Sequence, residues 1–206
     1  MTTWLISVIG PPAVGKTTAA EGLAAALPAE LIREDYANNP FLADSFLGRC
    51  EARLPSQLYF LVSRVGQLSG AAWPEAGVYV SDYGFCQDRI YARARLDDGD
   101  YRLYDGVSRR LEPLVRRCDL VVALDAGIDT LLGRIAARGR HFEKAMNAEF
   151  LSSMRESYAA AVRAMDCPVI SVDCDAADFR LASAVEELVT EIRKRIPRIA
   201  RTAQVD

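Results

Sequence analysis

Residues 10–18, GPPAVGKTT, constrain this chain more tightly than any other stretch. They satisfy G-x-x-x-x-G-K-[ST] in full, with Gly10, Gly15, Lys16 and Thr17 at the fixed positions. An apolar run, WLISVIG (4–10), leads into the loop, and a helical pattern, TTAAEGLAAAL, leads out of it. The glycines let the backbone curl so that its N–H groups face a phosphate, and the helix N-terminus adds its dipole. Gly10, Ala13, Val14, Gly15, Lys16, Thr17 and Thr18 are therefore the candidate nucleotide-binding residues. In this motif the lysine reaches the terminal phosphates and the hydroxyl of Thr17 a magnesium ion. A nucleoside triphosphate site is the expectation, against a glycine-rich turn with no ligand. The loop alone does not separate a switch GTPase, a motor ATPase and a small-molecule kinase. No guanine-reading N-K-x-D occurs in the chain, which weighs against the GTPase.

Short apolar runs alternate with helical patterns along the rest of the 206 residues. The predicted strands are 4–10, 29–34 (AELIRE), 77–82 (GVYVSD), 119–125 (DLVVALD) and 167–173 (CPVISVD). Nearly continuous apolar strands separated by helices predict an α/β fold, a parallel sheet covered on both faces. Leu58, Leu61, Val62, Val65 and Leu68 form one apolar helical stripe, and Leu151, Met154, Tyr158, Val162 and Met165 another. Both are read as core or subunit interface. The length suits a single domain over 1–206, with a polar end from Pro197 to Asp206 that frays. A net charge of −3 argues against nucleic acid as a partner. No segment has the length of a membrane span, and the opening residues read as a strand rather than an export signal. Five scattered cysteines without a C-x-x-C pair predict free thiols in a reducing cytoplasm.

Three further groups carry candidate chemistry. Arg134, Arg138 and Arg140 lie within seven positions, in RIAARGR, and suit a flap that closes over phosphates. His141 beside them is expected to be exposed rather than catalytic. Glu34 ends the second strand, the edge that faces ligands in open α/β sheets, and its carboxylate could take a proton from an attacking hydroxyl. Asp35 is nearly as good a candidate on sequence grounds. Gln57 and Arg64 stand seven apart on one helix, a spacing that could read the edge of a base or simply be polar surface. Asp82 and Asp88, in VYVSDYGFCQDRIYA, sit where the third strand turns into a helix. Each could be a metal ligand, a substrate reader or a helix cap.

Taken in order, GPPAVGKTT, E-x-x-x-N-N-P-F-L, Q-x(6)-R, SDY-x-F and R-x-x-x-RGR-x-x-E resemble the deoxynucleoside kinases, most closely the bacterial deoxyguanosine/deoxyadenosine branch. The resemblance spans roughly residues 4–180. It implies a P-loop kinase fold, a five-stranded parallel sheet with helices on both faces and an arginine-rich lid at about 138–146. It implies a homodimer, and transfer of the γ-phosphoryl of ATP, with Mg2+, to the 5′-hydroxyl of a deoxynucleoside, purine preferred. By position, Glu34 becomes the general base, and Lys16, Arg134, Arg138 and Arg140 join it in the catalytic set. Thr17 and Asp82 become the magnesium pair, Asp82 lying also beside the substrate. Gln57, Arg64 and Asp88 become base-facing, with Gln87 competing for the place of Asp88 because the spacing to the following helix is one residue short of the cytidine-preferring branch. Glu143 becomes the acid for the 3′-hydroxyl. The VDCDAADF loop, with Asp178 and Phe179, becomes the adenine site of the donor, to which Arg138 also contributes. Phe46 replaces a tyrosine that in many members contacts the 3′-hydroxyl, and Tyr83 fits the bacterial branch. The rival readings are a kinase for another small hydroxyl substrate or a pyrimidine nucleoside, and a nucleotide-binding regulator without turnover.

Overall fold

Leu5, Ile6, Val8 and Ile9 are all 1% exposed or less, so strand β1 (Thr3–Ile9) has apolar cover on both faces. That pattern puts it at the centre of a parallel sheet. The computed structural model describes residues 3–70, 73, 77–197 and 199, apart from the side chain of Lys144. In it β1 pairs in parallel with β3 (Gly77–Ser81) on one side and β4 (Leu120–Asp125) on the other. Strand β2 (Glu30–Ile32) adds to β3 and β5 (Val169–Asp173) to β4, giving the order β2-β3-β1-β4-β5. In such an order the crevice at the carboxyl ends of the strands is the expected ligand site.

Helices cover both faces. Helix α1 (Lys16–Ala26) packs with the last helix, α8 (Ala182–Arg195), over Ile6, Val8 and Val122. On the opposite face Ile9 and Val121 meet Met154 and Tyr158, with side chains of α4 (Cys86–Arg95) around them. Methionine 154 and Tyr158 belong to α7 (Ala148–Arg163), which Asn147 starts by accepting from the N–H of Phe150 at 2.9 Å. Leu61 and Val65 of α3 (Arg53–Leu68) and Tyr104 of α5 (Asp98–Leu111) pack around Ala92 of α4. A short helix, α2 (Leu42–Phe46), precedes α3. Helix α6 (Ile128–Arg138) stops at Gly139, whose φ of 66° lies in the left-handed region, and a 3-10 turn, His141–Ala145, follows.

The expected boundaries shift where the sheet has an edge. Strand β2 keeps three residues rather than six, because β3 is its one neighbour and the chain leaves the sheet after Ile32. The backbone N–H of Glu34 then donates to the carboxylate of Asp82 instead of joining a ladder. Val62, expected in the buried stripe, is 60% exposed, whereas Phe60 takes an inward position. In the second stripe Val162 and Met165 are half-buried, and Met165 lies beyond the end of α7. The end expected to fray lies mostly outside the described residues, but Ile199 is buried against the core. All five cysteines are free, with Cys118 and Cys167 sulfurs 3.5 Å apart. No described helix is long and apolar enough to cross a membrane.

Candidate active site

The phosphate loop leaves β1 at Gly10, where φ is 150° and a Cβ would stand 2.4 Å from the carbonyl oxygen of Leu124. Only glycine allows the loop to pass so close to β4. Lys16 folds back over it, Nζ donating to the carbonyls of Gly10 (2.9 Å) and Pro11 (3.0 Å). Burial pulls its ammonium down to about 8, although Glu34 and Asp82 oppose the shift. The Thr17 hydroxyl donates to Asp82 Oδ2 at 2.8 Å, and Asp82 Oδ1 accepts from the Glu34 N–H at 2.8 Å. Asp82 thus ties the loop to the segment that follows β2. Its burial raises the carboxyl above the ordinary range, partly offset by those two hydrogen bonds.

A cavity of about 380 Å³ opens over the loop, lined by Ala13–Thr18, Glu34, Asp82, the three arginines, Glu143, Asp178 and Phe179. A second, of about 80 Å³, adjoins it, lined by Phe46, Gln57, Phe60, Arg64, Gln87, Tyr91 and Phe142 among others. Glu34, Tyr36, Gln87, Tyr91, Arg140, Glu143 and Met146 line both. Glu34 therefore stands at their junction. Asp35, its rival, lines neither: its carboxylate accepts from Asn38 and Tyr59, both at 2.7 Å.

The arginines divide. Arg134, on α6, donates to the carbonyls of Val14 (2.8 Å) and Cys174 (2.7 Å), clamping the phosphate loop to the turn after β5. It is a support of the loop and not part of the segment beyond the helix. Arg138 makes a two-pronged pair with Glu143, at 2.9 and 2.6 Å. Arg140 lies 3.3 Å from the same carboxylate, donates to the Tyr36 hydroxyl at 2.9 Å and covers that ring at 4.3 Å. Glu143 is buried beneath them, and His141 is exposed. Asp178 is paired with Arg180 at 2.6 Å, which holds its carboxyl down to about 2.

In the second cavity Arg64 is the hub. Its guanidinium lies over the rings of Phe60 and Tyr83, donates to Glu34 and reaches Asp88 at 2.5 Å. Desolvation opposes its charge, but Asp88 and Glu34 together raise its pKa well above the ordinary value. Asp88 is fully buried behind Arg64 and lines neither cavity, whereas Gln87 lines both. Its carboxylate pairs with the buried guanidinium of Arg64. Burial pushes it up to about 6, against the pull of Arg64. Gln57 is buried in the cavity wall and has no hydrogen-bond partner among the described residues. Phe46 packs against Phe142, ring centroids 5.8 Å apart, under the guanidinium of Arg95 at 3.6 Å.

Tyr36, Tyr91, Phe142 and Met146 were not singled out in the sequence, yet all four line the site. For Tyr36 a signal existed: it stands two positions from Glu34, the spacing at which side chains share a face where a strand continues. A family model described as deoxynucleoside kinase matches residues 6–197. A deoxyguanosine kinase of Bacillus subtilis (strain 168) is 26% identical over 200 residues, covering 89% of this chain and 97% of the relative. A deoxyadenosine kinase of Dictyostelium discoideum is 30% identical over 158 residues, covering 74% of this chain and 64% of the relative. The fold matches a deoxyadenosine kinase from M. mycoides with bound dATP, at a TM-score of 0.79 and 21% identity, over 92% of this chain and 99% of that one.

Proposed function

This chain belongs to the deoxynucleoside kinase family, and we propose on that premise that it transfers the γ-phosphoryl group of ATP to the 5′-hydroxyl of a purine deoxynucleoside. The observation that carries the assignment of sites is the place of Glu34, at the junction of a cavity built on the phosphate loop and a second one walled by aromatic rings. ATP fills the larger cavity, its phosphates on Gly10–Thr18 and its adenine near Asp178 and Phe179. The nucleoside enters the smaller, its base beside Gln57, whose unpartnered amide would find a partner there. The 5′-hydroxyl proton passes to Glu34 as the new O–P bond forms and the bond from the γ-phosphorus to the β–γ bridging oxygen breaks. Lys16, Arg138 and Arg140 neutralise charge on the transferring oxygens. Arg138 and Arg140 belong to a lid at about 138–146 that closes over the phosphates, within a single domain of 1–206.

The Thr17 hydroxyl and the Asp82 carboxylate, 2.8 Å apart, form an oxygen-donor pair of the kind that holds magnesium with phosphate oxygens and water. No cluster of three or more His, Cys, Asp or Glu gathers to ligate a metal among the described residues. Thr17 and Asp82 would hold the ion, which when bound would draw charge from the phosphate oxygens.

The purine preference draws on the names of the relatives, a deoxyguanosine kinase and a deoxyadenosine kinase. Glu143 takes the 3′-hydroxyl, with Phe46 stacking without donating. Val62 on α3 and Leu103 on α5, each more than half exposed, support a homodimer through these packed helices, which light scattering would test. A reducing cytoplasm suits the free cysteines. The substrate assignment is tested by competition among the four deoxynucleosides with ATP and magnesium. Higher kcat/KM for deoxyguanosine or deoxyadenosine supports it; a pyrimidine winning overturns the preference, and no turnover of any nucleoside overturns the activity.

A further inference from the structure

A hydrogen-bonded chain runs from the proposed general base into the core behind it. Gln87 Nε2 donates to Glu34 Oε1 at 2.8 Å, and the Tyr158 hydroxyl donates to Gln87 Oε1 at 2.9 Å. Chemistry leaves one orientation for the amide: a carboxylate only accepts, so the NH2 must face Glu34 and the carbonyl must face Tyr158. That in turn requires the phenol to donate. Burial against Tyr91 and Cys86 raises the Tyr158 pKa well above the ordinary value, so the hydroxyl keeps its proton.

The chain acts on one oxygen of the base. Glu34 Oε1 receives Arg64 and Gln87, while Oε2 has no partner among the described residues. Two donors on Oε1 leave Oε2 as the oxygen available to the 5′-hydroxyl. Arg64 is fixed by Asp88, whereas among the described residues no hydrogen bond other than that from Tyr158 holds the Gln87 amide against Glu34, so without it the amide could flip or swing. The three groups come from different elements: the segment after β2, α4 and α7.

We infer that Gln87 and Tyr158 are positioning residues for phosphoryl transfer: Tyr158 locks the amide of Gln87, and the locked amide holds Glu34 so that Oε2 takes the proton. The inference rests on the reading of Glu34 as general base, and it assigns a task to two residues that do not themselves exchange a proton with substrate.

A double-mutant cycle with Gln87→Met and Tyr158→Phe, both close in shape to the originals, tests it. Expected values are kcat about tenfold lower for Gln87→Met and about threefold to tenfold lower for Tyr158→Phe, with KM for ATP and deoxynucleoside within about twofold of the parent. The double variant should fall no further than Gln87→Met, because Tyr158 acts through Gln87. Multiplying effects, or a fall in kcat/KM carried by KM alone, would overturn the inference. Thermal melts identify any variant that loses fold, and Gln87→Leu then replaces Gln87→Met. Glu34→Gln is run in parallel. If it is inactive while the cycle shows independent effects, the positioning roles fail and the base reading stands. If Glu34→Gln turns over normally, the base reading fails and takes the inference with it.

Discussion

The phosphate side and the nucleoside side of this site are built in opposite ways. On the phosphate side one contiguous loop presents backbone groups, and the side chains around it mostly brace that backbone: Lys16 on Gly10 and Pro11, Arg134 on Val14 and Cys174. On the nucleoside side the groups that meet are side chains. Glu34, Arg64, the adjacent Gln87 and Asp88, and Tyr158 come from four separate stretches of the chain and fix one another through charged and neutral hydrogen bonds. A backbone cradle tolerates changes in the residues that line it, so long as the glycines stay. A network of buried side chains does not, because each member leaves another unpaired when removed.

Substitutions at the two sides should therefore fail differently. The largest effect is expected at Arg64. Arg64→Met leaves Asp88 buried without its counter-charge and should cost about 3–5 kcal/mol of stability, measured by denaturant unfolding. Its pH dependence carries a sign. Asp88 already has a folded-state pKa raised to about 6 from an ordinary 3.8, so the folded protein takes up that proton first. A raised acid favours the fold below the unfolded value and loses that advantage as pH rises through the folded value. The deficit of Arg64→Met should be smallest near pH 5 and grow towards pH 7. A deficit independent of pH would mean that Asp88 is not the group left stranded.

At the phosphate loop the cost should fall on turnover instead. Lys16→Met should lower kcat by about a hundredfold or more through lost charge on the transferring phosphoryl group. The ligand-free protein should meanwhile gain about 1 kcal/mol, since burial already disfavours the ammonium and lowers its pKa to about 8. A melting temperature that falls in this variant would blur the contrast between the two sides. The smallest effect is expected from Phe46→Tyr. A hydroxyl returned to the wall of the second cavity should favour a deoxynucleoside over its 3′-deoxy analogue by about 1 kcal/mol, near fivefold in kcat/KM. No change in that ratio would place the 3′-hydroxyl with Glu143 alone.

The same contrast explains what could be read from the chain beforehand. The phosphate loop, the five strands and their parallel pairing follow from contiguous patterns whose physics is local. So does Glu34 over Asp35 once the chain is known to leave the sheet after Ile32, but that departure depends on β2 being an edge strand. Arg134 and Arg138 share a helical face by spacing, yet the helix ends at Arg138 and only the later arginines reach Glu143. Neighbouring residues on a helix point about 100° apart, and here Gln87 lines both cavities while Asp88 pairs with Arg64, a division that spacing along the chain does not contain. Tyr158 read as one member of a core stripe. Its hydroxyl meets a partner 71 positions away, a contact that periodicity does not contain.

Single-turnover phosphoryl transfer by Glu34→Gln, with ATP affinity measured on the same preparation, tests the central claim most directly. With the carboxylate at the junction acting as base, transfer should slow by about a hundredfold or more while ATP binds within about twofold of the parent. Transfer at close to the parent rate would contradict it.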